Sequence, residues 1–271
     1  MSTSTLTPSW IGDHPLGLNE TAQLLLGPLE MRIHRAPQHW RVTLFRDLQF
    51  STRDPSLNLS FSGDSSATPA ESHRFGFRES PAKFCLAAAL ADRPMIIRPD
   101  TAFTMLPDEE VRAYVSSPLW VQLWVKSQDQ PRLLLEFPTH RPSDTWFGLD
   151  TREGLLCYAG TSRLRLAPTD EVTPRHRATT PVVLRNVAEE PMHVARIRLP
   201  VRHLSLFPGP ADSFWTERIT LTHRSGESND SIEVDHEAPR ESLSPTPLSP
   251  PRVPEERAFV ARAFESVFRL P

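Results

Sequence analysis

Apolar and polar residues alternate with a period of two along much of this chain. Leu29, Met31 and Ile33 interleave with Glu30, Arg32 and His34. After a turn at Ala36-Pro37-Gln38, Trp40, Val42 and Leu44 interleave with Arg41 and Thr43. In a strand, successive side chains point to opposite faces, so this pattern predicts a hairpin with one wet face. Residues 95–98 predict a short strand, and Val111, Ala113 and Val115 predict the next. Leu119, Val121, Leu123 and Val125 form one face of another, with Trp120, Gln122 and Trp124 on its opposite face. Pro131 and Pro138 bracket the apolar run 133–137, and residues 84–90, FCLAAAL, read as a buried strand or a short helical turn. Further on, Arg163 and Arg165 alternate with Leu164 and Leu166. A second set of strand patterns covers 180–187, 192–199, 204–207, 215–223 and 231–234.

Strands at such short spacing, split by proline-containing turns and without intervening helical patterns, predict an all-β chain. The expectation is one large antiparallel β-sandwich or two consecutive ones, Ig-like in style, although no Cys-Trp-Cys core marks a true immunoglobulin domain. Residues 1–16 read as a flexible lead-in and 17–167 as a first sandwich domain. Within it, the Ser-rich stretch 54–72 reads as a mobile insertion with room for a short edge strand. Residues 168–235 read as a second sandwich portion. Residues 236–254 read as a Pro-rich linker, because proline spacing keeps a chain extended. Residues 255–271 read as a short amphipathic helix: Phe259, Val260, Ala263, Phe264, Val267 and Phe268 fall on one helical stripe.

Composition narrows the function classes. The chain has 28 Pro against 10 Gly, which disfavours a helical protein. Of its 30 basic residues only Lys83 and Lys126 are lysine. The arginines spread along the whole chain, and the net charge is −3, so no concentrated basic footprint for nucleic acid exists. Two cysteines, Cys85 and Cys157, are too few for a disulfide scaffold, and each sits in an apolar-flanked run where a buried free thiol is expected. No CxxC, HxH or HExxH spacing predicts a metal, and nothing predicts a cofactor. The N-terminus lacks the basic and apolar regions of a signal peptide, and the longest apolar run is too short for a transmembrane segment, so a cytoplasmic location is expected.

The densest chemistry lies at 138–158, PTHRPSDTWFGLDTREGLLCY. His140, Asp144, Trp146, Glu153, Cys157 and Tyr158 are the candidate residues of a ligand site there. A Cys-His pair could supply nucleophile and base, and paired carboxylates could do acid–base work. None of the spacings matches a catalytic geometry, and a folded-back turn with Arg141 and Arg152 neutralising the acids uses the same residues structurally. Thr145-Trp146-Phe147-Gly148, Glu153-Gly154 and Cys157-Tyr158 resemble the central signature of a prokaryotic family, the domain of unknown function numbered 432. Pro94 and Ser117-Pro118-Leu119-Trp120 lend weaker support. The resemblance spans about residues 24–223. It implies no activity and no catalytic residue.

Three further features remain. Arg185, Arg196, Arg198 and Arg202 are candidates for an anion-binding face, against the plainer reading of a solvated strand face. Trp120 and Trp124 share a strand face and form either a stacking platform or part of the packing. Phe259, Phe264 and Phe268 on the C-terminal stripe would dock on a partner protein or on their own core. The leading expectation is a non-enzymatic interaction or accessory module that meets another protein through that helix or a sandwich face. The alternatives are a small-molecule or carbohydrate-binding domain, or a hydrolase, centred on 138–158, and an anion-surface binder.

Overall fold

The computed structural model describes residues 7–63, 68–127, 130–148, 154–166, 173–225, 230–254, 258–260 and 263–265. The chain first forms β1 (Gly12–Pro15), β2 (Thr21–Leu26), β3 (Leu29–Arg35), β4 (His39–Arg46), β5 (Ser56–Asn58), β6 (Glu71–Gly76) and β7 (Lys83–Ala89). It continues through β8 (Met95–Pro99), β9 (Phe103–Met105), β10 (Glu110–Pro118), β11 (Trp120–Ser127), β12 (Gln130–Pro138), β13 (Ser143–Phe147) and β14 (Leu155–Arg165). Then come β15 (Arg177–Asn186), β16 (Met192–Val194), β17 (Arg196–Leu199), β18 (Phe207–Pro208), β19 (Phe214–Trp215), β20 (Ile219–His223), β21 (Ser231–Val234), β22 (Ala258–Val260) and β23 (Phe264–Glu265). Helical structure among the described residues is limited to three-residue 3-10 turns, so the fold is all-β, as the alternation predicts.

The strands gather into two compact units, each assembled from separate stretches of chain. Unit 1 comprises Met1–Ala89, Leu119–His140 and Pro174–His176. Unit 2 comprises Leu90–Pro118, Arg141–Thr173 and Arg177–Pro271. The stretch 17–167 therefore contributes to both.

Unit 1 holds a five-stranded sheet, β5-β2-β3-β4-β6, and a four-stranded sheet, β1-β7-β11-β12. Both are antiparallel throughout. The hairpin of β3 and β4 follows the predicted register, and Met31, Ile33, Val42 and Leu44 are buried. Residues 84–89 resolve as strand: Phe84, Leu86 and Ala88 of β7 point into the core, with Val121, Leu123 and Val125 of β11. Rings from the two sheets meet edge to face, Trp40 against Phe84 with centroids 6.4 Å apart. The buried indole N–H of Trp40 donates to Ser80 Oγ at 3.0 Å. Gly27 has φ +54° in the two-residue turn between β2 and β3, and a Cβ there would run into the His176 ring. Only glycine meets both demands at low cost.

Unit 2 is built on one long sheet, ordered β22-β21-β20-β15-β10-β14-β8-β17-β23, with β13 paired to β14 and β19 to β15. It departs from the antiparallel expectation. β8 lies parallel to β14, and β19 and β20 lie parallel to β15. Period-two patterning reports which residues share a face but is silent on strand direction. β15 is buried on both faces, as a central strand with cover on each side must be.

The tail corrects another expectation. Where a helix was predicted over 255–271, residues 258–260 and 264–265 are strands. β22 pairs with β21, and β23 pairs with β17, at the two ends of the sheet order. Val260 and Phe264 are four residues apart, so the chain can separate the two sheet ends by at most ~14 Å. The sheet of unit 2 therefore curls until the tail bridges its ends. The Phe-rich stripe gains more from completing two open ladders than from an isolated short helix, which is marginal in water. Residues 236–254 are tied down as well. Leu248 N–H donates to Leu206 O at 2.7 Å, and Arg252 donates to Leu90 O through Nε at 2.9 Å and Nη2 at 2.7 Å.

Candidate functional site

In the 138–158 segment, β13 pairs with β14 so that Asp144 faces Tyr158, Thr145 faces Cys157 and Trp146 faces Leu156. The pleat then splits the candidate chemistry between two faces. Cys157 is fully buried, in a cluster with Ile96 and Phe147. Burial pushes its thiol up to about 11, against the pull of Arg198 and Arg202. Asp144 and Trp146 point outward, and Trp146 is 47% exposed. Asp144 pairs with Arg93, at 3.1 Å, rather than with Arg141. The same guanidinium lies over the Tyr158 ring at 5.2 Å, and the Tyr158 hydroxyl donates to Asp92 at 3.1 Å. Burial and the Asp92 carboxylate hold that phenol above its ordinary value. His140 belongs to unit 1, and Glu153 lies outside the described residues. The segment is thus a surface hairpin with a cation–aromatic–carboxylate cluster on one face and a sealed thiol on the other.

The arginine candidates are also dispersed. Three strands, β10, β14 and β8, separate Arg185 on β15 from Arg196 and Arg198 on β17. Arg185 Nε binds Glu110 at 2.9 Å and holds that carboxyl below its ordinary value. Arg198 packs over the Phe147 ring at 5.9 Å, where burial lowers its affinity for a proton. Arg202 Nε donates to His203 Nε2 at 3.1 Å. Of the tail phenylalanines, Phe264 is buried edge-on to His223, with centroids 5.9 Å apart. Phe259 lies opposite Ile232, and Phe268 falls outside the described residues. Asp230 anchors this region: one carboxylate oxygen accepts from Ala263 and Phe264 N–H at 2.8 and 3.2 Å, and the other lies 2.7 Å from His223 Nδ1.

One hollow lies in unit 1, on the outer face of the four-stranded sheet. It has a volume of about 440 Å³. Strand register places Asp13, Cys85 and Trp124 side by side on β1, β7 and β11. Ala87, Val125 and Pro131 extend the apolar lining, and Lys83 and Lys126 stand at its rim. A β-bulge where Trp124 faces β12 re-aims the strand at this point. The indole is held in place: Trp124 Nε1 donates to Gln122 Oε1 at 3.1 Å, and Gln122 Nε2 donates to Glu136 at 2.9 Å. Trp120, on the same strand face, is buried. Burial and the Asp13 carboxylate push the Cys85 thiol up to about 11, so it serves as an apolar wall rather than a nucleophile. Asp13 also pairs with Lys126 at 3.6 Å.

The sequence pointed to Trp124 but not to Asp13, Lys83, Cys85 or Lys126 as its neighbours. Only the pairing of three strands brings these positions together. The one signal that could have found them is the scarcity of lysine.

A second hollow of about 350 Å³, in unit 2, is lined by Arg112, Tyr114, Arg218, Glu237 and Arg240, with Arg218 paired to Asp235 at 2.7 Å. It is polar and of mixed charge. Neither hollow is lined by the candidates of 138–158. Among the described residues, no three His, Cys, Asp or Glu side chains converge to hold a metal, and no helix is long and apolar enough to cross a membrane. No curated protein and no solved structure matches the chain. Residues 10–269, nearly its whole length and including the Trp146-Phe147-Gly148 signature, match one family, so the chain belongs to the family described as "Protein of unknown function (DUF432)".

Proposed function

We propose that the protein is a non-enzymatic binding module. Its unit 1 acts as a β-sandwich that carries a small ligand on the outer face of the β1-β7-β11-β12 sheet. The observation that carries this reading is the 440 Å³ hollow with a fixed indole in its wall. Ligand sites are commonly concave and mostly apolar, with volumes of about 300–1,000 Å³ and a few polar groups that set orientation. The hollow has that composition. Against an enzyme stand the sealed Cys157, the Asp144 carboxylate paired with Arg93 and two thiols held far above neutrality. On this reading the ligand site lies outside 138–158, and no role rests on a C-terminal helix.

The test is binding of 2-naphthalenemethanol, a neutral planar probe, followed by ligand-observed NMR on the full chain. Binding that disappears in Trp124→Ala supports the reading, and binding indifferent to that substitution overturns it. Turnover of generic ester, phosphate or glycoside substrates that is lost on mutating His140, Asp144 or Cys157 would overturn the non-enzymatic part.

A further inference from the structure

The chain carries 30 basic residues, of which 28 are arginine, and its two lysines both stand at the rim of the unit 1 hollow. β7 and β11 are antiparallel, with Phe84 opposite Val125, so the next position along the ladder sets Lys83 opposite Lys126. Alternation places both on the strand face of Cys85 and Trp124, away from buried Phe84 and Val125. Like charges facing each other across a ladder repel unless something negative lies between or beside them. Asp13 supplies one carboxylate, 3.6 Å from Lys126, and that carboxylate is also turned towards the Cys85 thiol. Lys83 has no acidic partner among the described residues. Among the described residues, Asp13, Lys83 and Lys126 are the charged residues of the lining, which gives the mouth of an otherwise apolar hollow a surplus positive charge.

On the ligand-binding reading above, we infer that the hollow selects an amphipathic organic anion, a flat aromatic body bearing a carboxylate. The body lies against Trp124, Ala87 and Pro131, and the carboxylate takes the place between the two ammonium groups. Lysine suits this position. Its aliphatic stem extends the apolar wall, and its compact, mobile ammonium follows an anion at the edge of solvent, which a rigid guanidinium fork does less freely. The fixed Trp124 indole favours a planar body, since ring faces stack best offset and parallel.

The experiment compares two probes of one shape, 2-naphthoate and 2-naphthalenemethanol, by calorimetry on the full chain. The expected result is that naphthoate binds about tenfold tighter, the size of one charge-assisted contact at a partly exposed site. Raising the salt from about 50 to 300 mM should shrink that preference, since exposed charges are screened. In K83Q/K126Q the preference for naphthoate should vanish, the two probes binding alike. Equal affinity of the two probes in the native protein, with Trp124-dependent binding of the alcohol, overturns the anion inference and leaves the ligand-binding reading standing. Failure of both probes to bind overturns both. A naphthoate preference that survives K83Q/K126Q also overturns the inference, because the charge must then come from elsewhere.

Discussion

Cys85 and Cys157 sit where a thiolate is expensive, the first half-buried beside Asp13 and the second sealed behind β13. Raising a thiol from 9.0 to about 11 removes about 100-fold of its thiolate at any pH below both values. Native protein at pH 8 should therefore react with iodoacetamide about 100-fold more slowly than unfolded protein, and mass spectrometry across pH 7–11 should show Cys85 labelled only as pH approaches 11. Rapid labelling of Cys85 at pH 7.5 would contradict the burial described here. Asn186 presents a different residue-scale case. Fully buried, its amide donates to Met105 O, Leu106 O and Glu190 O at 3.0–3.2 Å, and its carbonyl accepts from Ala188 N–H. One side chain thus pins the ends of two connections, and an apolar replacement leaves buried carbonyls without this donor. Asn186→Ala should cost at least about 2 kcal/mol, read as a lower denaturation midpoint with an unchanged slope, because each stranded buried polar group costs about 1–3 kcal/mol.

At the scale of elements, the sequence was most legible where one face is wet. The alternation of Leu29 to Leu44 and of Leu119 to Val125 appears as β3, β4 and β11 with the predicted inward residues. Legibility ended where direction, partner or register matters. The parallel pairing of β8 with β14 depends on contacts between residues about 65 apart in the chain, and no local pattern encodes it. The 259–268 stripe has the period of a helix, yet at its described residues, 259–260 and 264–265, sheet ends waiting for hydrogen bonds outweigh that local preference. The hollow on unit 1 was half legible. Trp124 stood out by residue type, but its neighbours come from β1 and β7, and its orientation comes from Gln122 and Glu136 across β11 and β12. The signature at 138–158 was legible as a family mark. Its division into an inner and an outer face follows only from the pairing of β13 with β14.

At the scale of the molecule, the tail joins both ends of the unit 2 sheet, and buried Asp230 fixes it through the Ala263 and Phe264 N–H groups. Chain truncated after Val253 should lose those ladders and the buried Phe264, leaving Asp230 without two of its donors. The expected outcome is a lower melting temperature together with concentration-dependent association, since unpaired strands seek other strands. Unchanged melting and a monomeric truncated protein by sedimentation would contradict this account of the tail.

The same seam has a consequence for a chain still on the ribosome. Unit 1 receives its last piece with Pro174–His176, well before synthesis reaches the tail. Unit 2 has β21 and β17 in place long before β22 and β23 exist, because about thirty residues separate Val234 from Glu265. At synthesis rates of about 5–20 residues per second, ~2–6 s pass between the completion of β21 and that of β23. During that interval a nascent chain has two strand edges available to any neighbour on the same messenger, and the arrival of residues 258–265 brings it to a close.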